Sequence, residues 1–207
     1  LSLKYPSLTE FFVYLHLSDL KRYYSSSSIP YDGKARQAKE IMIDRFLKCL
    51  NNHKGKKIFL IAHSMGSIIV QDALIEYLPE ADIDTYVTIG STLGQKYVIN
   101  KYHFEIEQNL KNKLVVPEQI INKWYNLYDK EDQVALNHQL TNLYKFNSRK
   151  VNIEDQIVNN LFTSNGVRNP HKSYGYLRTP EFSKIINNFL LEKPTGIFGW
   201  IRKIFGK

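Results

Sequence analysis

The 207-residue sequence predicts an α/β fold, a three-layer sandwich in which a mostly parallel sheet lies between helices. Two observations lead to this fold class. Short apolar segments rich in branched residues alternate with segments whose apolar residues recur at the helical period of about 3.6. Between residues 58 and 74, an apolar strand-like run also turns within a few residues into an apolar helical stretch. We therefore expect parallel strands whose connecting helices cover both faces of the sheet.

The individual elements follow from periodicity and from turn residues. The last helix has the clearest start, because Thr179 is a good N-cap and Pro180 suits the first helical position. The predicted elements are a strand at 11–17, a loop at 25–33, a helix at 34–50, a strand at 58–62, a helix at 67–78, a strand at 86–89, an insertion at 92–121, strands at 123–128 and 151–153, and a helix from 180.

Composition favours one domain. With 43% hydrophobic residues, the chain can bury one good core, which we place at residues 1–193 with a tail at residues 194–207. Residues 92–121 would form a cap insertion within this domain. The single cysteine, Cys49, excludes an internal disulfide framework and is typical of a reducing compartment, so we expect a cytoplasmic protein. Cys49 lies on the apolar face of the predicted helix, where we expect a core thiol.

The net charge of +8 is concentrated partly in the tail. The last 15 residues carry four of the basic side chains and no acidic one. Because the body lacks a basic patch interleaved with aromatic residues, we expect no nucleic-acid partner. Residues 197–207 place isoleucines and phenylalanines on one helical face with Arg202 and Lys203 away from it, which favours peripheral contact with a membrane. The alternative is a helix packed on the body or on another subunit.

The turn after the strand at 58–62 carries Ser64 at its apex. Small residues, Ala62 and Gly66, lie two positions to either side, and we expect larger β-carbons there to collide with neighbouring elements. This strand–serine–helix pattern is typical of a nucleophile elbow, in which the serine hydroxyl stands exposed at the start of a helix. A buried strand, turn and helix with an incidental serine is the alternative interpretation.

Partners for Ser64 follow in the order acid, then base. A serine needs a base to take its proton, and the base needs an acid to orient it. Asp129 and Asp132 lie in the loop after the strand at 123–128, and His171 lies in a polar loop before the last helix. Because ligands gather at the carboxyl ends of parallel strands, either aspartate could reach Ser64.

The chain resembles an α/β-hydrolase of the serine lipase and esterase type, and is similar to GPI-inositol-deacylase-like and other lipid esterases. The resemblance spans about residues 58–190. It is carried by the segments Ala62–Gly66, Ile89–Gly94, Trp124–Asn126, Asp132–Val134 and Asn169–His171 with Tyr174.

The resemblance implies Asp132 as the acid, because the family acid is usually the Asp of an Asp-x-Val step. Asp129 remains an alternative candidate for the acid, and Asp155 is a third candidate. We expect His63 to orient the turn or pack beside it. The other histidines lack a partner pattern or metal-ligand spacing, and we expect no metal and no cofactor.

The oxyanion hole departs from the family pattern. The backbone N–H of Met65, directly after the nucleophile, should supply one donor. A His-Gly loop after an earlier strand normally supplies the second, and no such loop precedes Ser64. We therefore expect that N-terminal strands are missing, or that the second donor is unconventional.

These observations predict a serine hydrolase that cleaves carboxylic esters of lipids or acylated substrates through Ser64, Asp132 and His171. Two alternatives remain: an acyltransferase or thioesterase with the same residues, and a non-catalytic module of this fold that binds lipid or protein.

Overall fold

The computed structural model describes residues 18–105, 113–135 and 138–192. Residues 18–23 are helical. The elements after them are β1 (Ser28–Tyr31), β2 (Lys34–Gln37), α1 (Ala38–Asn51), β3 (Phe59–His63), α2 (Gly66–Glu76), β4 (Ile83–Ile89), α3 (Lys96–Glu105), β5 (Leu114–Val115), β6 (Ile120–Tyr128), a 3₁₀ turn (Leu140–Asn142), β7 (Tyr144–Lys145), β8 (Ile153–Ile157), β9 (Thr163–Ser164), β10 (Val167–Arg168), α4 (Ser173–Tyr176) and α5 (Pro180–Leu191).

The central sheet contains β3, β4, β6 and β8 in that order, and every neighbouring pair is parallel. In register, His63 pairs with Ile89, and Ile89 pairs with Leu127. The carboxyl ends of these strands therefore lie along one edge. The loops that follow β3, β4 and β6 leave the sheet side by side at this edge, which places their side chains within reach of one another.

Apolar side chains are buried on both faces of the sheet. On one face, residues 18–23, α1, α2 and α3 pack with one side of β4 and β6, including Tyr86 and Trp124. On the other face, α4 and α5 pack with Val87 and Tyr125, the next residues along these strands. Since successive side chains of a strand point to opposite faces, this alternation confirms the predicted three-layer α/β architecture.

Two predicted elements have the expected type but different bounds. β4 starts at Ile83 rather than at residue 86, and β8 covers Ile153–Ile157 rather than 151–153. The start of α5 is confirmed in detail: Thr179 Oγ1 accepts a hydrogen bond from the N–H of Phe182 at 3.3 Å, and Pro180 is the first helical residue.

Two local predictions are wrong. The predicted loop at 25–33 contains β1, and the first four residues of the predicted helix at 34–50 form β2, because Asp32 and Gly33, both at positive φ, form a two-residue turn between these strands. Cys49 is exposed rather than buried in the core. Its helix, α1, turns Ile41, Ile43 and Leu50 inwards instead.

The segment predicted as an insertion contains α3 and β5, and its last residues belong to β6. Val98, Leu114 and Val116 are buried in the core cluster on the α2 face. These side chains therefore pack in the core. The cap itself stays a prediction, as does the division into core and tail.

The predicted strand at 11–17 and the tail at 194–207 lie outside the described residues. Among the residues that are described, no helix is both long enough and apolar enough to cross a membrane.

Candidate active site

Ser64 occupies the turn between β3 and α2 with a left-handed backbone, φ +54°. An L-residue other than Gly, Asn or Asp adopts this conformation at a cost, so the surroundings must hold it. The N–H of Ser64 donates to the carbonyl of Ile89 at 3.2 Å, and Ser67 Oγ donates to the carbonyl of Ser64 at 2.6 Å. Ser91 Oγ in turn donates to Ser67 Oγ at 2.9 Å. The turn is thereby tied to the neighbouring strand and to the first turn of α2.

The small residues beside Ser64 differ in their packing. Ala62 is buried in the core. A β-carbon added to Gly66 would meet nothing within 4 Å, so the expected collision at this position is wrong. Gly66 is the first residue of α2.

Three predicted site residues lie in one hydrogen-bonded row. Ser64 Oγ lies 2.9 Å from Nε2 of His171, and Nδ1 of His171 lies 2.9 Å from both carboxylate oxygens of Asp132. The three side chains come from the ends of β3 and β6 and from the loop after β10. A base positioned by a carboxylate and aimed at a hydroxyl is the arrangement that activates a serine nucleophile.

Asp132 is fully buried, and its oxygens are well supplied with donors. Oδ1 accepts from the N–H groups of Val134 and Ala135 at 3.1 and 3.2 Å, and Oδ2 accepts from Tyr176 Oη at 2.7 Å. Burial alone would raise the pKa of Asp132, but hydrogen bonds from His171, Tyr176 and Ala135 leave it below its ordinary value. Asp132 is therefore held as a carboxylate beside the imidazole.

The other two candidate acids serve elsewhere. Asp129 accepts from Arg168 Nη2 at 2.8 Å and from the N–H of Asn160 at 2.6 Å. Asp155 accepts from Asn126 Nδ2 at 2.7 Å and from backbone N–H groups at the start of the 3₁₀ turn. Neither carboxylate faces His171 in these contacts, so the geometry agrees with Asp132 as the partner of the histidine.

His63 packs beside the turn. Its ring centroid lies 4.8 Å from that of His171, and its Nε2–H donates to the backbone carbonyl of His171 at 2.7 Å. Burial, together with the nearby His171, lowers the pKa of His63 to about 4. A neutral His63 therefore holds the backbone of the residue that faces Ser64.

Met65 directly follows Ser64 and is the N-cap residue of α2, with φ −58° and ψ −22°. The first N–H groups of a helix have no intrahelical acceptor, and the helix dipole makes this end positive. This is the position from which we expect the Met65 N–H to meet a developing negative charge, and its role as an oxyanion donor stays a prediction. The expectation about a second donor stays a prediction, because residues 1–17 lie outside the described part of the chain.

Three supporting residues were missed from the sequence. Tyr176 donates to Asp132 and accepts from the N–H of Asp129 at 3.2 Å; burial and the nearby Asp132 raise its pKa, so it stays protonated. Asn160 Nδ2 donates to the carbonyls of Pro170 and Lys172 at 2.7 and 2.9 Å, on either side of His171.

Gly90 is the third of these residues. It has φ +52°, and a β-carbon added there would lie 2.9 Å from Asp132 Oδ2 and 3.3 Å from His171 Nδ1. Its place in the Ile89–Gly94 segment was the available signal, although the contacts themselves could not be read from that segment.

No group of three or more His, Cys, Asp or Glu side chains within the described residues is arranged to hold a metal ion. The acid, base and hydroxyl of the site are all supplied by protein side chains.

Comparison with known families gives one match. The model of the family "Lecithin:cholesterol acyltransferase" matches residues 27–97, about a third of the chain. The matched part runs from β1 through Ser64 and Met65 to the start of α3, and ends before Asp132 and His171. Searches of curated proteins and of solved structures found no match. The match supports a relationship to lipid esterase-like enzymes, whereas the specific similarity to GPI-inositol deacylases stays a prediction.

Proposed function

We propose that this protein is a serine hydrolase that cleaves carboxylic esters of lipids or acylated substrates. The observation that carries the proposal is the row from Ser64 Oγ through the imidazole of His171 to the carboxylate of Asp132, with 2.9 Å at each step. The match to a lipid acyltransferase family supports the substrate class.

In the proposed reaction, Ser64 Oγ attacks the ester carbonyl carbon while Nε2 of His171 takes the hydroxyl proton. Asp132 accepts a hydrogen bond from Nδ1–H, which fixes the tautomer and stabilises the imidazolium that forms. The Met65 N–H donates to the oxyanion. The bond between the acyl carbon and the alcohol oxygen then breaks, and the alcohol leaves with the proton from Nε2. Water repeats the sequence on the acyl-enzyme and releases the acid.

A second candidate, an acyltransferase, differs only in the last step. An acceptor alcohol rather than water attacks the acyl-enzyme, and His171 takes the proton of that alcohol. The family match favours this candidate, because its description names an acyltransferase. Product analysis with added alcohol distinguishes the two: a new ester indicates transfer, and release of free acid alone indicates hydrolysis.

The experiment that tests the proposal is labelling with a fluorophosphonate, which reacts with activated serines. We expect the wild-type protein to be labelled and the Ser64→Ala and His171→Ala variants to remain unlabelled, with ester hydrolysis lowered by about 10⁶-fold at saturation. The exposed residues Ser26 and His53 provide matched controls, S26A and H53A, which should label as the wild type does.

Equal labelling of all these proteins would contradict Ser64 as the nucleophile. A folded wild-type protein that is neither labelled nor hydrolytic would favour the non-catalytic module. The peripheral membrane contact through residues 197–207 remains a separate proposal, tested by sedimentation with anionic vesicles after Trp200→Ala or removal of these residues.

A further inference from the structure

We propose that a pocket beside His171 holds the alcohol part of the ester, and that this alcohol is uncharged with an apolar body. The pocket, called here the His171 pocket, has a volume of about 320 Å³ and is lined by Asp132, His171 and the apolar side chains of Val134, Phe162, Val167 and Pro170, among others. This inference rests on the proposed function, because it assigns one half of the proposed substrate.

The direction of the reaction places the alcohol on this side. When the ester bond breaks, the acyl carbon is bonded to Ser64 Oγ, and the departing oxygen receives its proton from Nε2 of His171. The residues that line the His171 pocket include His171 and its partner Asp132, whereas Ser64 and Met65 do not line it. The pocket is therefore assigned to the group bonded to the departing oxygen rather than to the acyl chain.

The charged side chains of Glu131, Asp132 and Arg168, which line the pocket, are already paired. Arg168, which lines it, forms ion pairs with Asp129 at 2.8 Å and with Glu131. The Asp132 carboxylate is hydrogen-bonded to His171 and Tyr176. A charged headgroup would thus lose its hydration without gaining an unpaired partner in the pocket interior. Lys172, which also lines the pocket, is exposed, and its ammonium lies 5.5 Å from the ring centroid of Tyr174.

The size of the pocket limits its occupant. Ligand pockets in proteins commonly measure about 300–1,000 Å³, so this one is at the lower end. Its apolar side chains suit the body of one small ring or a short branched alcohol. Part of its wall is the β9–β10 hairpin, in which Val167 pairs with Ser164, and Arg168 pairs with Thr163.

The hairpin offers a matched pair of variants. Val167 lines the pocket, whereas the neighbouring exposed Thr163 does not. Val167→Trp should fill the pocket, and Thr163→Trp adds the same side chain to the same hairpin outside it. The measurement is kcat/KM for three esters: methyl butyrate, cyclohexyl butyrate and methyl decanoate. Fluorophosphonate labelling, in which only fluoride leaves, is measured alongside.

We expect the wild-type protein to prefer cyclohexyl butyrate to methyl butyrate, and V167W to lose this preference by tenfold or more. In V167W, hydrolysis of both methyl esters and the labelling rate should fall at least tenfold less than hydrolysis of cyclohexyl butyrate. T163W should behave as the wild type. If V167W unfolds on thermal melting, Val167→Phe makes the same test with a smaller side chain.

Two results would overturn this assignment alone. A selective loss of methyl decanoate hydrolysis in V167W would place the acyl chain in the pocket, and identical behaviour of V167W and T163W would remove the pocket from substrate binding. A wild-type protein that is neither labelled nor able to hydrolyse any of the three esters would overturn the proposed function and the assignment together.

Discussion

Asp129 and Asp132 lie three residues apart in one loop, both buried, and both accept backbone N–H groups, yet they belong to different networks. Asp129 is paired with Arg168 and so ties the β9–β10 hairpin to the end of β6. Asp132 faces the imidazole of His171. Tyr176 joins the two networks, since its hydroxyl donates to the Asp132 carboxylate and accepts the N–H of Asp129.

The difference lies in the partner's charge. A guanidinium is charged at every accessible pH, so the Asp129 pair is a permanent link within the fold. An imidazole becomes charged when it takes the serine proton, so the Asp132 carboxylate gains most of its interaction during the proposed reaction. One loop thus contains a carboxylate that supports structure and one that is suited to catalysis.

Asp132→Asn and Asp129→Asn test this division most directly. We expect D132N to lower kcat by about 10³- to 10⁴-fold with a small change in melting temperature, because the amide favours the wrong imidazole tautomer. D129N should lower kcat by less than about tenfold and destabilise the fold by about 1–3 kcal/mol, since it weakens a charged hydrogen bond. Steady-state kinetics and thermal melting of both variants measure this. The reverse pattern would exchange the two roles.

Gly90→Ala tests how closely the Asp132 network is packed. The added carbon would press on Asp132 Oδ2 and on the imidazole, and we expect kcat to fall by about 10²-fold, as for a displacement of roughly 1 Å. Gly33→Ala is a matched control, because Gly33 also has positive φ but an added carbon there meets nothing within 4 Å. Both variants carry the backbone strain of about 1–2 kcal/mol. Similar kcat values for the Gly90→Ala and Gly33→Ala variants would show that the contact of the added carbon with Asp132 has no effect of its own on activity.

Tyr176→Phe removes the hydroxyl that joins the two networks. We expect kcat to fall by about tenfold with KM unchanged, because Asp132 loses a donor worth about 1.5 kcal/mol or more. The lost donor also raises the pKa of Asp132. The charged Asp132 stabilises the fold at pH values above its unfolded pKa, and this stability is lost as the pH falls through its folded pKa. In Tyr176→Phe the folded pKa is higher, so the loss should occur at a higher pH. Kinetics and melting across pH measure both effects. Tyr174→Phe, an exposed tyrosine in the same short helix, should change neither.

His63→Gln tests the smallest effect, the pH dependence of stability. The folded pKa of His63, about 4, lies below the ordinary value of 6.5, so the unfolded chain binds more protons between these values. The neutral His63 therefore costs no stability above about pH 6.5. As the pH falls towards 4, the free energy of unfolding decreases by about 1–3 kcal/mol because of this residue. H63Q should flatten this slope in thermal melts, and His53→Gln, at an exposed histidine, should leave it unchanged. A slope identical to wild type in H63Q would contradict the assignment.

The elements predicted best are those whose pattern is local. The cap of α5 needs only Thr179 and Pro180, and the elbow needs only the residues around Ser64. β4 was predicted too short because its first part is polar: Asp84 is buried beside Lys57 at 4.0 Å and accepts from Thr85 Oγ1 at 2.8 Å. Because these partners allow a polar residue to be buried, the apolar pattern used to predict strands does not detect this part of β4.

The sequence by itself determined the parallel α/β class, the serine at the elbow, and the order of candidate acid and base, because each depends on residue types within a few positions. The tertiary structure decided which carboxylate faces His171, 39 residues away, and that Tyr176, Asn160 and Gly90 support the pair. The physical reason is that the fold decides which way each carboxylate faces. Two carboxylates three residues apart have the same chemistry, and only the path of the chain between the strand ends determines which partner each one meets.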